Sequence, residues 1–562
     1  MNYSFSANNR GSKFLNIEFT IENINESEIF IQLPAWRPGR YQIENFAKNI
    51  QKLEVKSLNN KPVQFEKTTK DCWKIYVGRI KKIKVIYNYY SNILNAGSTW
   101  VDDDQIYINP INCCFYVVGR ENERIGINLN NFNHTKTAIS LEKKDGIYWA
   151  ENYDELVDSP FILSDSLQSN SYEVKGTKFT LWFQGECKPP WFKLIKDFKK
   201  ITKEQLKVFG SFPFSEYHFI YQILPYGTYH GVEHKKNTVI SFGPGYSVFE
   251  GENYEEFLGV SSHELFHAWN VKTIKPNDFK PYDYSKENYS KMGYLTEGIT
   301  SYYGDLLLKR SGVFSSEQFL KQIHKTMDRH FYNYGTENLS VVDSSFDTWL
   351  DGYERGIPNR KSSIYTEGSL LAMVTDLLIR SHTKNKKSLD HVMRTFYIEY
   401  AKKDKGIGDS DFKKEIEKIV GKKFSALWNS YFNGTNDYFP LLKKTFKSFN
   451  IELEKSPNAK YLASHFGIYI QPGSTLVLLI APDSPGFFAG LNPGDEIISI
   501  NSIEQKKDNC DNWAKYFKNN LTLVYKKDAF IKEVKLKTSK SEYFPNVRIT
   551  MDSNSKGKLK WI

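Results

Sequence analysis

A five-residue motif, HELFH at residues 263–267, constrains this chain more than any other feature of its sequence. It lies in a stretch whose apolar spacing predicts a helix over about 253–271. Residues four apart share one face of a helix, so His263 and His267 can both reach one Zn²⁺ at about 2.0–2.1 Å. Glu264 lies between them and can act as general base towards a zinc-bound water. The motif therefore predicts a hydrolytic zinc centre on this helix.

A catalytic zinc needs a third protein ligand and an open fourth position. The segment LTEGIT at 295–300 predicts the start of another helix, and Glu297 in it is the predicted third ligand. His234 is a weaker alternative. Asp305, about two helical turns after Glu297, is a candidate to accept a hydrogen bond from a zinc histidine. This ligand set suits one Zn²⁺ per chain best, although Co²⁺ or Mn²⁺ could replace it.

Charge and composition exclude several classes of protein. Lys and Arg total 76 against 65 Asp and Glu, a net charge of +11 spread over 562 residues. Scattered lysines of this kind are typical of a solvated surface and argue against a nucleic-acid partner. A hydrophobic content of 40% and an aromatic content of 15% exclude a disordered chain. No apolar run approaches the roughly 18 residues of a membrane span, so none is expected.

The cysteine content and the first residues of the chain bear on the cellular compartment in which the protein is expected. The five cysteines are odd in number and form no C-x-x-C pair, which favours a reducing environment. The first residues show neither a basic segment nor an apolar one, so no signal peptide is predicted. We therefore expect a cytoplasmic protein, with a periplasmic or exported location left open if the start has been trimmed.

Three regions differ in their residue patterns. Residues 1–160 show short alternating runs between turn residues, which predict a β-sandwich-like domain. Residues 161–452 begin with strands and then become mostly helical, as expected for an α/β part followed by a helical part. Residues 456–562 return to short strands with Pro and Gly turns. The predicted fold class is multidomain α+β.

Several segments resemble the glycyl aminopeptidase family, PDZ-containing zinc metallopeptidases of the gluzincin type (HEXXH…E). In chain order these segments are LPAWRPGRY (33–41), ELVDSP (155–160), HELFHAWNVKTIKP (263–276), LTEGITSYY (295–303) and SIYTEG (363–368). They stand in the family's order and span nearly the whole chain. The resemblance implies a thermolysin/gluzincin-like catalytic domain, peptide substrates and a preference for small N-terminal residues, Gly or Ala.

The same resemblance implies roles for residues around the substrate. YHGVEH at 229–234 resembles the family's G-G-L-E-H segment, so Glu233 is expected to hold the substrate's α-ammonium group by a charge-assisted bond. Gly231 would let the backbone approach the substrate closely. His230 stands where the family has glycine, a departure that could narrow the site or shift its preference. Tyr365 matches the tyrosine that donates to the oxyanion in gluzincin aminopeptidases.

The C-terminal region carries a second resemblance. APDSPGFFAGLNPGD at 481–495 resembles the core of a PDZ domain, and such domains bind extended peptides by strand addition. Phe466, Gly467 and Ile468 form the candidate carboxylate-binding loop, which would take a protein C-terminus on successive backbone N–H groups. The alternative is a packing domain whose groove is blocked.

Three functions stay open on sequence alone. The first is a zinc aminopeptidase that removes N-terminal residues from peptides. The second is a zinc endopeptidase that cleaves proteins tethered by the PDZ-like domain. The third is a catalytically inert peptide-binding protein, and the intact set His263, Glu264, His267 and Glu297 argues against it.

Overall fold

A computed structural model describes residues 1–129, 132, 136–351, 353, 356–506, 509–551 and 561 of the chain. Every structural statement and count below refers to these residues. Within them, no helix combines the length and the apolar character that crossing a membrane requires.

The N-terminal region is rich in β-structure, as the alternating runs predicted. Its strands are β1 (Asn2–Ser6), β2 (Phe14–Ile21), β3 (Glu28–Gln32), β4 (Ile50–Ser57), β5 (Phe65–Lys67), β6 (Cys72–Tyr76), β7 (Ile83–Tyr90), β8 (Trp100–Val101), β9 (Ile106–Ile108), β10 (Tyr116–Val117), β11 (Ile125–Asn128), β12 (Thr137–Ala138), β13 (Glu142–Lys144), β14 (Ile147–Ala150) and β15 (Phe161–Leu163). Two short helices are α1 (Pro110–Cys113) and α2 (Tyr153–Val157). One sheet has the strand order β13-β14-β11-β1-β2-β7-β4, and two smaller sheets are β10-β3-β6-β5 and β12-β15-β9-β8. Alternate residues of β2 and β7 are buried in a core that residues of all three sheets share.

A five-stranded sheet begins the next region. Its strands are β16 (Gln168–Val174), β17 (Thr177–Gln184), β18 (Glu216–Ile223), β19 (Thr228–Glu233) and β20 (Asn237–Gly243), in the order β16-β17-β18-β20-β19. β19 is antiparallel to β20 and forms one edge of the sheet. Helices α3 (Trp191–Phe209) and α4 (Gly251–His267) contribute apolar side chains to the core that also holds much of this sheet. Edge strand β19 and helix α4 carry the candidate site.

The remainder of this region is helical, as predicted. It contains α5 (Thr300–Arg310), α6 (Ser316–Phe331), α7 (Val341–Phe346), α8 (Thr348–Asp351), α9 (Thr366–His382), α10 (Leu389–Thr395), α11 (Asp409–Val420), α12 (Ser425–Leu427) and α13 (Tyr438–Lys447). Three π-helical segments occur at Tyr294–Ile299, Phe396–Tyr400 and Trp428–Phe432. Helix α4 ends at His267, earlier than the predicted end at Val271. The chain turns there, and the backbone carbonyl of Asn270 forms a hydrogen bond with the His267 side chain.

The C-terminal region returns to short strands, as predicted. Its elements are β21 (Ile451–Ser456), α14 (Tyr461–Phe466), β22 (Ile468–Ile470), β23 (Val477–Ile480), α15 (Pro485–Phe488), β24 (Glu496–Ile500), β25 (Ile503–Glu504), α16 (Cys510–Phe517), β26 (Asn520–Lys527), β27 (Phe530–Lys537) and β28 (Asn546–Met551). The sheets β25-β24-β26-β27 and β22-β23 share a separate core. The last strand differs from expectation: β28 pairs with β21, and Val547, Ile549 and Trp561 join the core of the helical region. Residues 456–562 stay a predicted module, although these three apolar side chains belong to the core of the helical region.

The candidate carboxylate-binding loop lies at the end of α14. Phe466 is fully buried, and the N–H of Gly467 donates to the carbonyl of Ala463 at 3.2 Å. Ile468 begins β22 and lies opposite Ile480. One of the backbone donors expected to bind a peptide carboxylate is therefore used within the protein, and the PDZ-like assignment stays a prediction.

Candidate active site

Two histidines and a glutamate converge at the end of α4. The Nε2 atoms of His263 and His267 are 3.0 Å apart, and they lie 3.7 Å and 3.5 Å from Oε2 of Glu297. Glu297 comes from the π-helical turn before α5, and such turns are frequent at functional sites. A tetrahedral ion with bonds of about 2.0–2.1 Å separates its ligand atoms by about 3.3–3.4 Å. The three predicted ligands thus form a triangle of a size that fits Zn²⁺.

The second ring nitrogen of His267 is fixed by the backbone. Its Nδ1 lies 2.7 Å from the carbonyl oxygen of Asn270. Because a carbonyl only accepts, Nδ1 carries a proton, which leaves Nε2 as the ring nitrogen that can bind an ion in the cluster. The side-chain amide of Asn270 donates to the Leu295 carbonyl at 2.9 Å and to Thr300 Oγ1 at 3.0 Å. Asn270 therefore ties the end of α4 to the segment that carries Glu297.

The sequence had suggested Asp305 as the hydrogen-bond acceptor of a zinc histidine. Asp305 borders a cavity of about 280 Å³ that His263 also lines. Among the described contacts, no hydrogen bond joins Asp305 to either histidine. Burial raises the pKa of Asp305 to about 7, although Arg329 and Lys325 oppose the shift. For His267 the observed acceptor is the Asn270 carbonyl, and the role of Asp305 stays a prediction.

The electrostatics of the cluster favour added positive charge. Burial disfavours a charged imidazole, but Glu297, Glu233 and Glu264 together raise the pKa of His267 to about 10. Burial likewise opposes ionisation of Glu297, yet His267 and hydrogen bonds from both histidines lower its pKa to about 2. Three carboxylates around two imidazoles would stabilise a divalent cation as they stabilise a proton. The donor set therefore fits zinc in charge as well as in spacing.

Glu264 lies on α4 between the histidines and is 5% exposed. Burial raises its pKa to about 8; His267 opposes the shift, while Glu233 and Glu297 reinforce it. Its buried Oε2 has no protein partner, so this oxygen is available to a water or a substrate. A Cβ on Gly231 of β19 would lie 2.1 Å from Oε1 of Glu264. Gly231 was expected to give room to the substrate, and its immediate neighbour is the Glu264 carboxylate.

Glu233 is the last residue of β19 and is 6% exposed. One of its carboxylate oxygens lies within 4.8 Å of the ligand atoms of Glu264 and His267. A Cβ on Gly39 would lie 2.5 Å from Oε2 of Glu233, and the φ of +83° at Gly39 also favours glycine. The N-terminal segment 33–41 therefore lies directly over the expected amino-terminus site. Its resemblance to the family marked this segment, but nothing in the sequence indicated this contact.

Tyr365 immediately precedes α9, and two glycines bring it to the cluster. A Cβ on Gly298 would lie 2.4 Å from Cα of Gly368, so the Glu297 segment and α9 approach closely only without side chains there. Tyr365 lines the same cavity as His263. Burial and the nearby Glu297 raise the pKa of Tyr365 well above its ordinary value, so its hydroxyl remains a donor at neutral pH.

The hydroxyl of Tyr365 has a partner that the sequence did not single out. Tyr353 Oη lies 3.2 Å from Tyr365 Oη and 3.2 Å from the carbonyl oxygen of Gly39. With 36 tyrosines in the chain, no local pattern marks Tyr353. Its place in the site depends on how the N-terminal segment meets the helical region.

His230, which lies on β19, and His234, which directly follows β19, are both outside the cluster of His263, His267 and Glu297. His230 points to the face opposite Gly231 and Glu233, where its Nε2 lies 3.4 Å from Nη2 of Arg37. Burial, together with Arg37 and Arg40, lowers the pKa of His230 to about 3. His230 therefore contacts the N-terminal region instead of narrowing the face that holds Glu233.

His234, the alternative third ligand, contacts the segment ELVDSP instead. Its Nδ1 lies 3.0 Å from Oδ1 of Asp158, and the same oxygen lies 2.8 Å from Nζ of Lys272. Asp158 thereby joins the residue after Glu233 to the segment that follows α4. His234 is not among the residues whose ligand atoms cluster with His263, His267 and Glu297.

Comparisons with known proteins agree with this architecture. The profile of the peptidase M61 N-terminal domain matches residues 2–165, and that of the M61 glycyl aminopeptidase matches residues 256–371. An aminopeptidase N family protein from Idiomarina loihiensis has a similar structure, with 24% identity, 98% coverage of each chain and a TM-score of 0.91. At 24% identity, this structural similarity shows that the two chains share a fold and supports no further statement about this chain.

Weaker likenesses include an M1 zinc metallopeptidase from Deinococcus radiodurans, with 10% identity and a TM-score of 0.45. That likeness covers 75% of this chain and 90% of that one. No curated protein matches the chain.

Proposed function

The chain belongs to the M61 glycyl aminopeptidase family, whose N-terminal and peptidase domains it carries, and we propose that it is a zinc-dependent aminopeptidase acting on peptides. The observation that carries this proposal is the position of Glu233. Its carboxylate lies beside Glu264 and His267, at an end of the site that Gly39 closes. A hydrolytic cluster with a carboxylate at its closed end suits a substrate with a free amino terminus.

The residues of the chain divide the reaction among them. His263, His267 and Glu297 would hold the zinc, which when bound supplies a Lewis acid that polarises the scissile carbonyl and acidifies water. Glu264 takes the proton of the attacking water and delivers it to the leaving amine. Tyr365 donates a hydrogen bond to the oxyanion that forms on the carbonyl oxygen.

Glu233 fixes the α-ammonium group of the substrate by a charge-assisted hydrogen bond, and this selects free amino termini. A polypeptide that continued beyond that point would collide with the segment that holds Gly39. The same crowding supports a preference for Gly and Ala as the first residue. Tyr41 is buried, and its burial, together with Glu297 and Glu233, raises its pKa well above the ordinary value, so its hydroxyl stays protonated near these carboxylates.

A matched pair of substrates tests the proposal. A Gly- or Ala-peptide with a free amine and its N-acetylated form would be incubated with the enzyme, with and without 1,10-phenanthroline. We expect chelator-sensitive cleavage of the free amine only, and slower cleavage when Leu or Phe is first. Cleavage of both peptides would indicate an endopeptidase. Cleavage of neither would favour an inert peptide-binding protein.

A further inference from the structure

The hydroxyl of Tyr353 lies between the two ends of the candidate site. It is 3.2 Å from the Gly39 carbonyl oxygen and 3.2 Å from the Tyr365 hydroxyl. Gly39 adjoins the carboxylate of Glu233, where the substrate's amino terminus is proposed to bind. A phenol has one proton, so Tyr353 can donate to only one of its two neighbours at a time.

We propose, on the basis of the proposed function, that Tyr353 is a positioning residue that links binding of the substrate's ammonium group to the donor strength of Tyr365. An α-ammonium group has three N–H donors, more than Glu233 alone needs to satisfy. Gly39 adjoins Glu233, and its carbonyl would serve as a second acceptor for the ammonium group. When the ammonium group donates to it, Tyr353 turns its proton to the oxygen of Tyr365.

Tyr365 then accepts from Tyr353 and donates its own proton to the oxyanion. A hydroxyl that accepts a hydrogen bond is a stronger donor, because hydrogen bonds in a chain polarise one another. No proton leaves its oxygen in this sequence; only the directions of the hydrogen bonds change. The oxyanion donor is thereby strongest when a free amino terminus is bound.

The surroundings of Tyr353 permit this change of direction. Tyr353 is 45% exposed, so a small shift of its side chain does not disturb a packed core. The guanidinium of Arg40 lies 5.1 Å from the ring centroid and holds the ring beside the N-terminal segment. Burial of the hydroxyl end and the nearby Glu297 raise the pKa of Tyr353, which keeps it protonated.

A double-mutant cycle on the full-length zinc enzyme tests the proposal with a free-amine glycyl peptide. Y353F should lower kcat about tenfold with little change in KM, because the substrate still binds while the donor weakens. Y365F should lower kcat by more, about 10²-fold, and adding Y353F to Y365F should lower kcat by less than a further twofold. Y246F, at an 83% exposed tyrosine, is the matched control and should be neutral. Full additivity of Y353F and Y365F, or an unchanged kcat in Y353F, would overturn the proposal.

Binding of two small anions gives a readout that a purely structural role would not move. The probes are aminomethylphosphonate, which pairs an ammonium group with a tetrahedral anion, and methylphosphonate, which lacks the ammonium. Wild type should prefer the first, and Y353F should lose about tenfold of that preference while its Tm stays unchanged. An unchanged preference overturns the proposal. If wild type neither cleaves the peptide nor binds the first probe, the proposed function itself fails, and the role of Tyr353 with it.

Discussion

Glu264 and Glu233 are two buried carboxylates beside the same histidine, and each lies against a glycine. Gly231, which faces Glu264, belongs to the sheet next to helix α4. Gly39, which faces Glu233, comes from the N-terminal β-rich region. The proposed chemical half of the site is therefore built within residues 161–452, whereas its recognition half is completed by the N-terminal β-rich region. Substitutions should affect turnover on one side and substrate binding on the other.

The largest contrast should come from the two carboxylates themselves. E264Q removes the proposed proton acceptor and should lower kcat by about 10³-fold or more while zinc content stays at one per chain. E233Q keeps the proton acceptor but loses a charge-assisted bond, so KM should rise about 10–30-fold with a smaller change in kcat. Steady-state kinetics and metal analysis distinguish the two outcomes. Activity of E264Q within tenfold of wild type would show that Glu264 is not the general base.

Gly231 tests how closely the chemical half is packed. In G231A the new Cβ would meet Oε1 of Glu264 at 2.1 Å, so the carboxylate must move and kcat should fall about 10²-fold. The matched control is G227A, because a Cβ on Gly227 meets nothing within 4 Å. Equal kinetics for the two variants would mean that Glu264 adjusts at no cost.

The residues of the site that the sequence predicted, and those that it missed, follow a similar division between local and long-range contacts. Helical periodicity fixes His263 and His267 on one face, so their approach was predictable from spacing alone. Glu233 and Tyr365 were marked only by resemblance to a family. Gly39 and Tyr353 were missed, because each lies on a loop whose neighbours are set by tertiary packing and no local pattern encodes them.

The fold shows a similar limit. Alternation and helical period predicted the three regions, but not the return of β28 to the helical core. A two-stranded pairing between β21 and β28 depends on a contact across nearly a hundred residues, which no local window records. The Gly298–Gly368 contact is of the same kind. Each glycine looks like an ordinary helix interruption until both helices are in place.

Gly39 tests the recognition half. G39A places a Cβ 2.5 Å from Oε2 of Glu233, and its φ of +83° adds backbone strain. We expect KM to rise about tenfold with kcat nearly unchanged. G119A is the matched control, because Gly119 has a φ of +85° but its Cβ would meet nothing within 4 Å. The control measures strain alone, so equal KM values in the two variants would remove Gly39 from the recognition site.

The smallest expected effect concerns the contacts that hold the end of β19 beside the N-terminal region. Asp158 accepts from Lys272 at 2.8 Å and from the backbone N–H of Lys235 at 2.9 Å, and it lies 3.0 Å from His234. D158N leaves Lys272, whose side chain is 3% exposed, without its carboxylate and should cost about 2 kcal/mol of unfolding free energy. D404N, at a 97% exposed partner of Lys280, should cost almost nothing. Asp158 contacts His234, which directly follows Glu233 of the recognition half. The substitution should therefore change KM more than kcat.

The pH dependence of the free energy of unfolding provides a second test of the Asp158 contacts, with a predicted direction. Burial alone would raise the pKa of Asp158, but Lys272 and His234 hold it well below its ordinary value. A carboxyl whose folded pKa lies below its unfolded value, about 3.9, stabilises the fold above that pH and loses the contribution as pH falls. The wild-type advantage over D158N should therefore shrink between about pH 5 and pH 3, measured by urea unfolding with a chelator present to exclude metal loss. A constant difference over that range would mean that the ion pair contributes nothing to joining the two regions.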